Sequence, residues 1–186
     1  MTHTMLTERR AAVRLCCSLM LMALVLAPMG CKSKKVRVGA TDEETPKMMS
    51  VLNMGDPKVE PQLIKGLHGI EANAWRWTEK QFTVALRPPF GSGQKGARLT
   101  VKLTVPPVAI EKLKTVSLSA TAGGSALPPE TYTTAGDYVY VRDIPASLLT
   151  GDSLRVDFQL DKVMAPSGAD IRELGIIVLY IGLESK

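Results

Sequence analysis

The sequence predicts an all-β domain, an antiparallel β-sandwich of jelly-roll type with about eight strands, behind an N-terminal signal helix and a flexible tether. Three observations carry that expectation. Beyond residue 50, apolar and polar residues alternate with period two over successive runs, which gives each strand one apolar face. Clusters of Gly, Pro and Ser separate the runs, as at Pro88-Pro89-Phe90-Gly91-Ser92-Gly93 and Ala122-Gly123-Gly124-Ser125. All three cysteines, Cys16, Cys17 and Cys31, fall in the first sixth of the 186-residue chain, so the sandwich has to be held by its apolar faces rather than by disulfides.

Residues 1–30 have the layout of an export signal. Arg9, Arg10 and Arg14 precede the apolar run LCCSLMLMALVL over 15–26. Such a run reaches about 18 Å as a helix, short of the roughly 30 Å hydrocarbon slab, and therefore reads as a signal rather than a permanent span. Gly30 places a small residue immediately before Cys31. This segment resembles a bacterial lipoprotein signal peptide, which implies cleavage before Cys31 and a diacylglycerol on its thiol. Pro28 and Met29 depart from the Leu and Ala or Ser usual in that family, and a cut after Ala27 would leave Pro28 at the new amino terminus. Lipidation also removes the liability of a free thiol in an exported chain. The Arg9-Arg10 pair is all that matches a twin-arginine signal. Lys32 stands where an aspartate commonly retains such lipoproteins in an inner membrane, so the resemblance implies the outer membrane.

Residues 31–50 are polar and lack periodicity, and read as a flexible tether. Its Lys32, Lys34, Lys35 and Arg37 adjoin the expected anchor, where each is worth up to about 1 kcal/mol against an anionic leaflet. The net charge of +5 is unevenly spread. Residues 1–30 hold three Arg against one Glu, residues 31–48 five Lys or Arg against three acids, and residues 49–186 hold 15 against 14. The domain, residues 51–186, is nearly neutral, which removes the electrostatic footprint that nucleic-acid binding needs.

Within the domain, Leu99, Val101, Leu103 and Val105 interleave with Thr100, Lys102 and Thr104, and Leu154, Val156, Phe158 and Leu160 with Arg155, Asp157 and Gln159. Both are half-buried strands. Further strands are expected over 66–70, 74–78, 81–86, 115–119 and 138–142. The run LGIIVLYIGL over 174–183 is apolar at both parities and predicts a central strand buried on both faces. A short helical turn is expected over 144–149, with Asp143 as cap and Pro145 near its start.

His68 is the one histidine past the signal, and no cysteine lies beyond Cys31, so the domain lacks the donors of a structural zinc site. No cofactor is expected. There is no Gly-x-Ser-x-Gly elbow and no Walker or dinucleotide glycine pattern. His68 reads as a strand residue with a local hydrogen bond. Asp157 and Asp161 share a strand face but stand about 13 Å apart, too far to cooperate within that strand. The stretch 161–170 lacks the dense Asp/Asn/Gly spacing of a calcium loop. Trp75 and Trp77 share one face of a strand around Arg76. Facing outward they would stack on sugar rings; facing inward they anchor the core, with Arg76 paired outside to Glu71 or Asp170. Tryptophan's usual burial favours the inward arrangement. Tyr132, Tyr138 and Tyr140 are open to the same two readings.

Two strings, Gly66 to Thr78 with Arg76-Trp77-Thr78 at its end, and Pro166-Ser167-Gly168-Ala169-Asp170-Ile171-Arg172-Glu173-Leu174-Gly175, resemble the jelly-roll β-sandwich modules that accompany bacterial envelope and carbohydrate-active proteins. The resemblance spans residues 64–186. It implies that Asp170 and Arg172 close the loop before the last strand, a structural role shared by Arg76. The sequence thus leads to a non-catalytic binding module held at the cell envelope by a lipid on Cys31, taking glycan through Trp75 and Trp77 or binding an envelope protein. A scaffold without a small-molecule site and a hydrolase working through Asp152, Asp157 or Asp170 are the other two readings.

Overall fold

Period-two alternation becomes strand wherever one face can be buried, and the structure, a computed structural model described over residues 47–186, has nine strands among those residues. They are β1 (Val51–Asn53), β2 (Leu63–Leu67), β3 (Arg76–Leu86), β4 (Ala97–Val105), β5 (Val116–Ala122), β6 (Ser125–Tyr132), β7 (Gly136–Ile144), β8 (Leu154–Leu160) and β9 (Ile177–Ser185). Two short helices, α1 (Ser92–Lys95) and α2 (Pro107–Leu113), and 3-10 turns at Pro57–Gln62 and Ala146–Leu148 complete the described part. Every strand pairing is antiparallel: β1-β9-β4-β7 form one sheet and β2-β3-β8-β5-β6 the other. With β2 set aside as an added edge, four strands face four in the double Greek-key order of a jelly roll.

The inward residues of both sheets meet in one core. Leu99, Val101, Leu103 and Val105 of β4 face Val116 and Leu118 of β5 and Leu154, Val156, Phe158 and Leu160 of β8, all buried. Phe82 and Phe158 are directly opposed across β3 and β8 and stack with centroids 4.6 Å apart. The predicted strands over 74–78 and 81–86 are one strand. β3 begins against β9, Arg76 opposite Val178 and Trp77 opposite Ile177, and then passes to β8 in the other sheet. Thr78 pins the crossing: its N–H donates to the Ile176 carbonyl (2.9 Å), and its carbonyl accepts from the Gly175 N–H (2.7 Å). A Cβ on Gly175 would collide with Thr78 and Leu160, so only glycine fits there.

Several local expectations are corrected. β2 lies at Leu63–Leu67, three residues before the predicted 66–70. β6 went unforeseen because Pro128 and Pro129 sit inside it; as an edge strand it tolerates their missing N–H groups. α2 was also unforeseen, its seven residues being too few for helical periodicity to register. β9 is central, but it is not buried on both faces. Its pairing with β4 jumps from Lys102 opposite Tyr180 to Leu103 opposite Val178. The extra residue, Leu179, is exposed and shifts the alternation by one, so apolar residues at both parities serve a single buried face. The helical turn exists at Ala146–Leu148, but Pro145 holds the cap position without a side-chain bond. Asp143 pairs with Lys186 instead (3.0 Å).

Candidate functional site

Trp77 stands on the outward parity of β3, and Trp75, the bridge residue just before the strand, shares that parity. A tight turn precedes them: Glu71 N–H donates to the Trp75 carbonyl (2.8 Å), and Ala72 and Asn73 both take positive φ, 48° and 53°. That twist matches the strands it joins, in the manner of a type I′ hairpin. It brings Trp75 edge-on to Trp77, ring centroids 6.1 Å apart at 82°. Both indoles are half-buried, with Trp77 packed against the rim of the core. The expectation that Arg76 lies outside is corrected: it is the buried residue of the three, while the tryptophans are half-buried and Trp77 alone packs on the core. Arg76 is 2% exposed and shares the inward parity with Thr78. It donates from Nε to the Met54 carbonyl (3.1 Å), from one terminal nitrogen to the His68 carbonyl (3.0 Å) and from the other to Glu60 Oε2 (2.6 Å). A guanidinium can be buried here because three elements bring it three acceptors.

Glu71 and Asp170, the partners expected for Arg76, are taken by Arg172. Its guanidinium donates to both Asp170 carboxylate oxygens (3.0 and 2.8 Å) and to Glu71 Oε1 (2.8 Å), while the Arg172 backbone N–H adds a third bond to Asp170 (3.0 Å). Reciprocal backbone bonds close the turn from Ser167 to Asp170, and Met164 and Leu174 pair across its base. These contacts fasten the loop before β9 to the hairpin before β3. His68 joins the same region, its Nε2 2.8 Å from the Glu173 carbonyl and its backbone N–H bonded to the Trp77 carbonyl.

Trp77, Asp170 and Arg172 meet in one pocket of about 190 Å³, completed by Val108 and Lys112 of α2 and by Met164, Ser167 and Leu174. Trp75 stands outside the lining. The volume falls below the roughly 300–1,000 Å³ of sites that enclose a drug-sized ligand, so the pocket suits a single ring or the end of a chain. It offers an indole, a carboxylate, a guanidinium, an ammonium and a hydroxyl.

The hydrogen bonds from Arg172 hold the Asp170 carboxyl down to about 2. A carboxyl lowered in the folded state contributes its stabilisation above its unfolded pKa of about 3.9 and loses it as pH falls through the folded value. The loop is therefore expected to keep its closure from neutral pH down to about 4 and to loosen between about 4 and 2. A carboxyl NMR titration should place the Asp170 midpoint near 2, and Arg172→Ala should move it toward the unfolded value; an unmoved midpoint refutes the pairing.

A second concave surface crosses the outer face of the β2-β3-β8-β5 sheet. Register sets Lys65, Thr83, Asp157 and Thr121 in one row and Gln81, Gln159 and Ser119 in the next, lining a groove of about 450 Å³. Thr83 donates to Asp157 (2.7 Å) and Arg155 grips the same carboxylate, whose pKa is lowered chiefly by that guanidinium. The polar half of the alternation was visible in the sequence; its assembly into rows depends on strand register, which was not.

The three carboxylates of the hydrolase reading lie apart. Asp170 lines the tryptophan pocket, Asp157 the sheet groove, and Asp152 a cleft beside Pro88 to Phe90. Asp161 accepts the Ser117 N–H (2.7 Å). Among the described residues no three His, Cys, Asp or Glu side chains gather as metal ligands, and no helix is long and apolar enough to cross a membrane. The tyrosines turn inward: Tyr140 donates to the Pro128 carbonyl (3.0 Å) under the Arg142 guanidinium, Tyr138 bonds Thr134, and Tyr132 is buried, its phenol pKa raised by desolvation. Residues 1–46, Cys31 among them, lie outside the described residues; of the expected tether over 31–50 only 47–50 are described, and there Met49 is already bonded to the domain through Gln62.

No family model and no curated protein matches the sequence. Solved structures resemble it distantly. A family GH115 4-O-methyl-α-glucuronidase with specificity for decorated arabinogalactans is 11% identical with a TM-score of 0.44; the match covers 75% of this chain and 18% of the length of that one. A family 35 carbohydrate-binding module from Clostridium thermocellum is 9% identical (TM-score 0.41, covering 73% of this chain and 98% of the module). A CBM36 module in complex with calcium and xylotriose is also 9% identical (TM-score 0.38, 73% and 100%). Likeness at this level assigns neither family nor ligand.

Proposed function

We propose that this chain is an exported, lipid-anchored envelope protein whose jelly roll is a non-catalytic module for glycan. The tryptophan pocket carries the reading. A sugar ring presents C–H faces that suit an indole and hydroxyls that suit fixed charged and hydroxylic partners; Trp77, Asp170, Arg172, Lys112 and Ser167 supply both kinds on one small concave surface. The anchor is Cys31 and the preferred destination the outer membrane, from the signal layout and Lys32.

On a polysaccharide affinity gel the chain is expected to be retarded. Trp77→Phe, which keeps an aromatic side chain on the core rim, should weaken retention about tenfold, or roughly 1.4 kcal/mol, while its melting curve stays cooperative. Retention equal to that of the unchanged chain refutes the pocket. For the anchor, a palmitate analogue fed to the exporting host should label the chain and not Cys31→Ala; equal labelling of both removes the lipid reading. The exposed Val139 and Val141 on the outer face of the β7 edge favour a second reading, an envelope-protein partner. In a pull-down from envelope extract, that partner would be lost with Val139→Lys.

A further inference from the structure

The chain has three phenylalanines. Two stack in the core, and the third, Phe90, is 102% exposed. Its loop holds it there. Pro88 and Pro89 each fix one φ angle, and Gly91 takes φ +79° in open space, a conformation that suits glycine. Buried Ser92 donates both its N–H (3.1 Å) and its hydroxyl (2.7 Å) to the Pro89 carbonyl. A ring displayed on a loop already ordered loses little entropy on contact with a partner.

Phe90 borders an open cleft of about 1190 Å³ whose lining among the described residues includes Lys47, Lys58 and Arg87 with one acid, Asp152. The tether joins the domain at the same place. Buried Gln62 accepts the Met49 N–H (2.7 Å) and donates to the carbonyls of Met49 (2.9 Å) and Ala85 (2.7 Å), while the Arg87 N–H donates to the Met49 carbonyl (3.0 Å). Cys31 precedes Lys47 by 16 residues, a stretch that can reach at most about 55 Å when fully extended. The Trp77 pocket lies toward the other end of β3, an 11-residue strand.

We propose that this end of the jelly roll docks on an anionic lipid surface, with Phe90 entering the headgroup layer and Lys47, Lys58 and Arg87 meeting the lipid phosphates. The inference rests on the lipid-anchor reading, which keeps the face within reach of a bilayer. Docking turns the tryptophan pocket away from the membrane. Each Lys or Arg beside an anionic leaflet multiplies affinity about fivefold, an attraction that fades over a Debye length of about 10 Å at 0.1 M salt.

The test mixes the full chain, as processed by an exporting bacterial host, with vesicles of phosphatidylcholine alone or of equal parts phosphatidylcholine and phosphatidylglycerol. Flotation reads attachment and amide hydrogen exchange reads the loop. On anionic vesicles the Phe90 and Gly91 amides should exchange at least about tenfold more slowly than on neutral ones. Phe90→Ser, or Lys58→Glu with Arg87→Glu, should abolish the slowing while core amides keep their protection. Flotation without slowing, or equal slowing on both vesicles, overturns docking and leaves the anchor standing. Failure to float overturns docking and anchor together. Slowing already complete without vesicles shows that the chain itself covers the loop and overturns the proposal.

Discussion

Arg76→Ala is expected to destabilise the domain by about 3 kcal/mol and to lower its Tm by about 10 °C. The side chain is buried and donates to two backbone carbonyls and one carboxylate. Glu60 is 65% exposed, so water can take its charge once the guanidinium is gone, and the pair itself is worth little. The carbonyl of the fully buried Met54 has no such recourse, and that of the part-buried His68 loses its charged donor. Each lost bond to a buried acceptor costs about 1–3 kcal/mol, and the vacated volume adds to it. Arg76→Lys keeps the charge but not the fork, and should recover no more than about half. Glu60→Gln should cost under about 1 kcal/mol. Urea melts of the three variants check the ranking; an Arg76→Ala chain within about 1 kcal/mol of the unchanged protein would show that the carbonyls find other donors.

The second large effect lies in the core. Phe158 opposes Phe82 across β3 and β8 and Ala120 across β5, and the two rings stack at 10°. Phe158→Ala should cost about 3–5 kcal/mol, the sum of lost transfer energy and the cavity left between sheets that cannot collapse onto it. The expected fall in Tm is roughly 10–15 °C. In a double-mutant cycle with Phe82→Ala, the rings should couple by about 0.5–1.5 kcal/mol beyond the buried area. A coupling near zero would make the stack a mere neighbourhood of two apolar groups.

The strands that were legible in advance are those with one clean buried face. β4 and β8 lie at or near their predicted bounds because apolar and polar residues alternate there without interruption. Where the signal failed, a local feature overrode the period: two prolines in the edge strand β6, a bulge at Leu179, and a helix of only seven residues in α2. At the candidate site, the expectation gave Trp75 and Trp77 the ligand and Asp170 and Arg172 a structural role; the pocket brings Trp77 together with Asp170 and Arg172 and leaves Trp75 out, and Arg76, expected outside, is buried. Composition misled there: a tryptophan pair looks like core and an arginine like surface. The hairpin before β3 and the crossing at Thr78 determine the opposite parity, and neither has a signature in the residues of 75–77 alone.

By itself, then, the chain of residues determined the class: past Cys31 there is no cysteine to form a disulfide, so period-two apolar faces have to bury one another and close into a sandwich. Only the tertiary structure decided which sheet each half of β3 joins, which residue of a pair points inward, and which distant loops meet around Trp77. Those outcomes depend on register and on contacts between residues as far apart as Glu71 and Arg172, where one residue of slip moves every side chain to the other face.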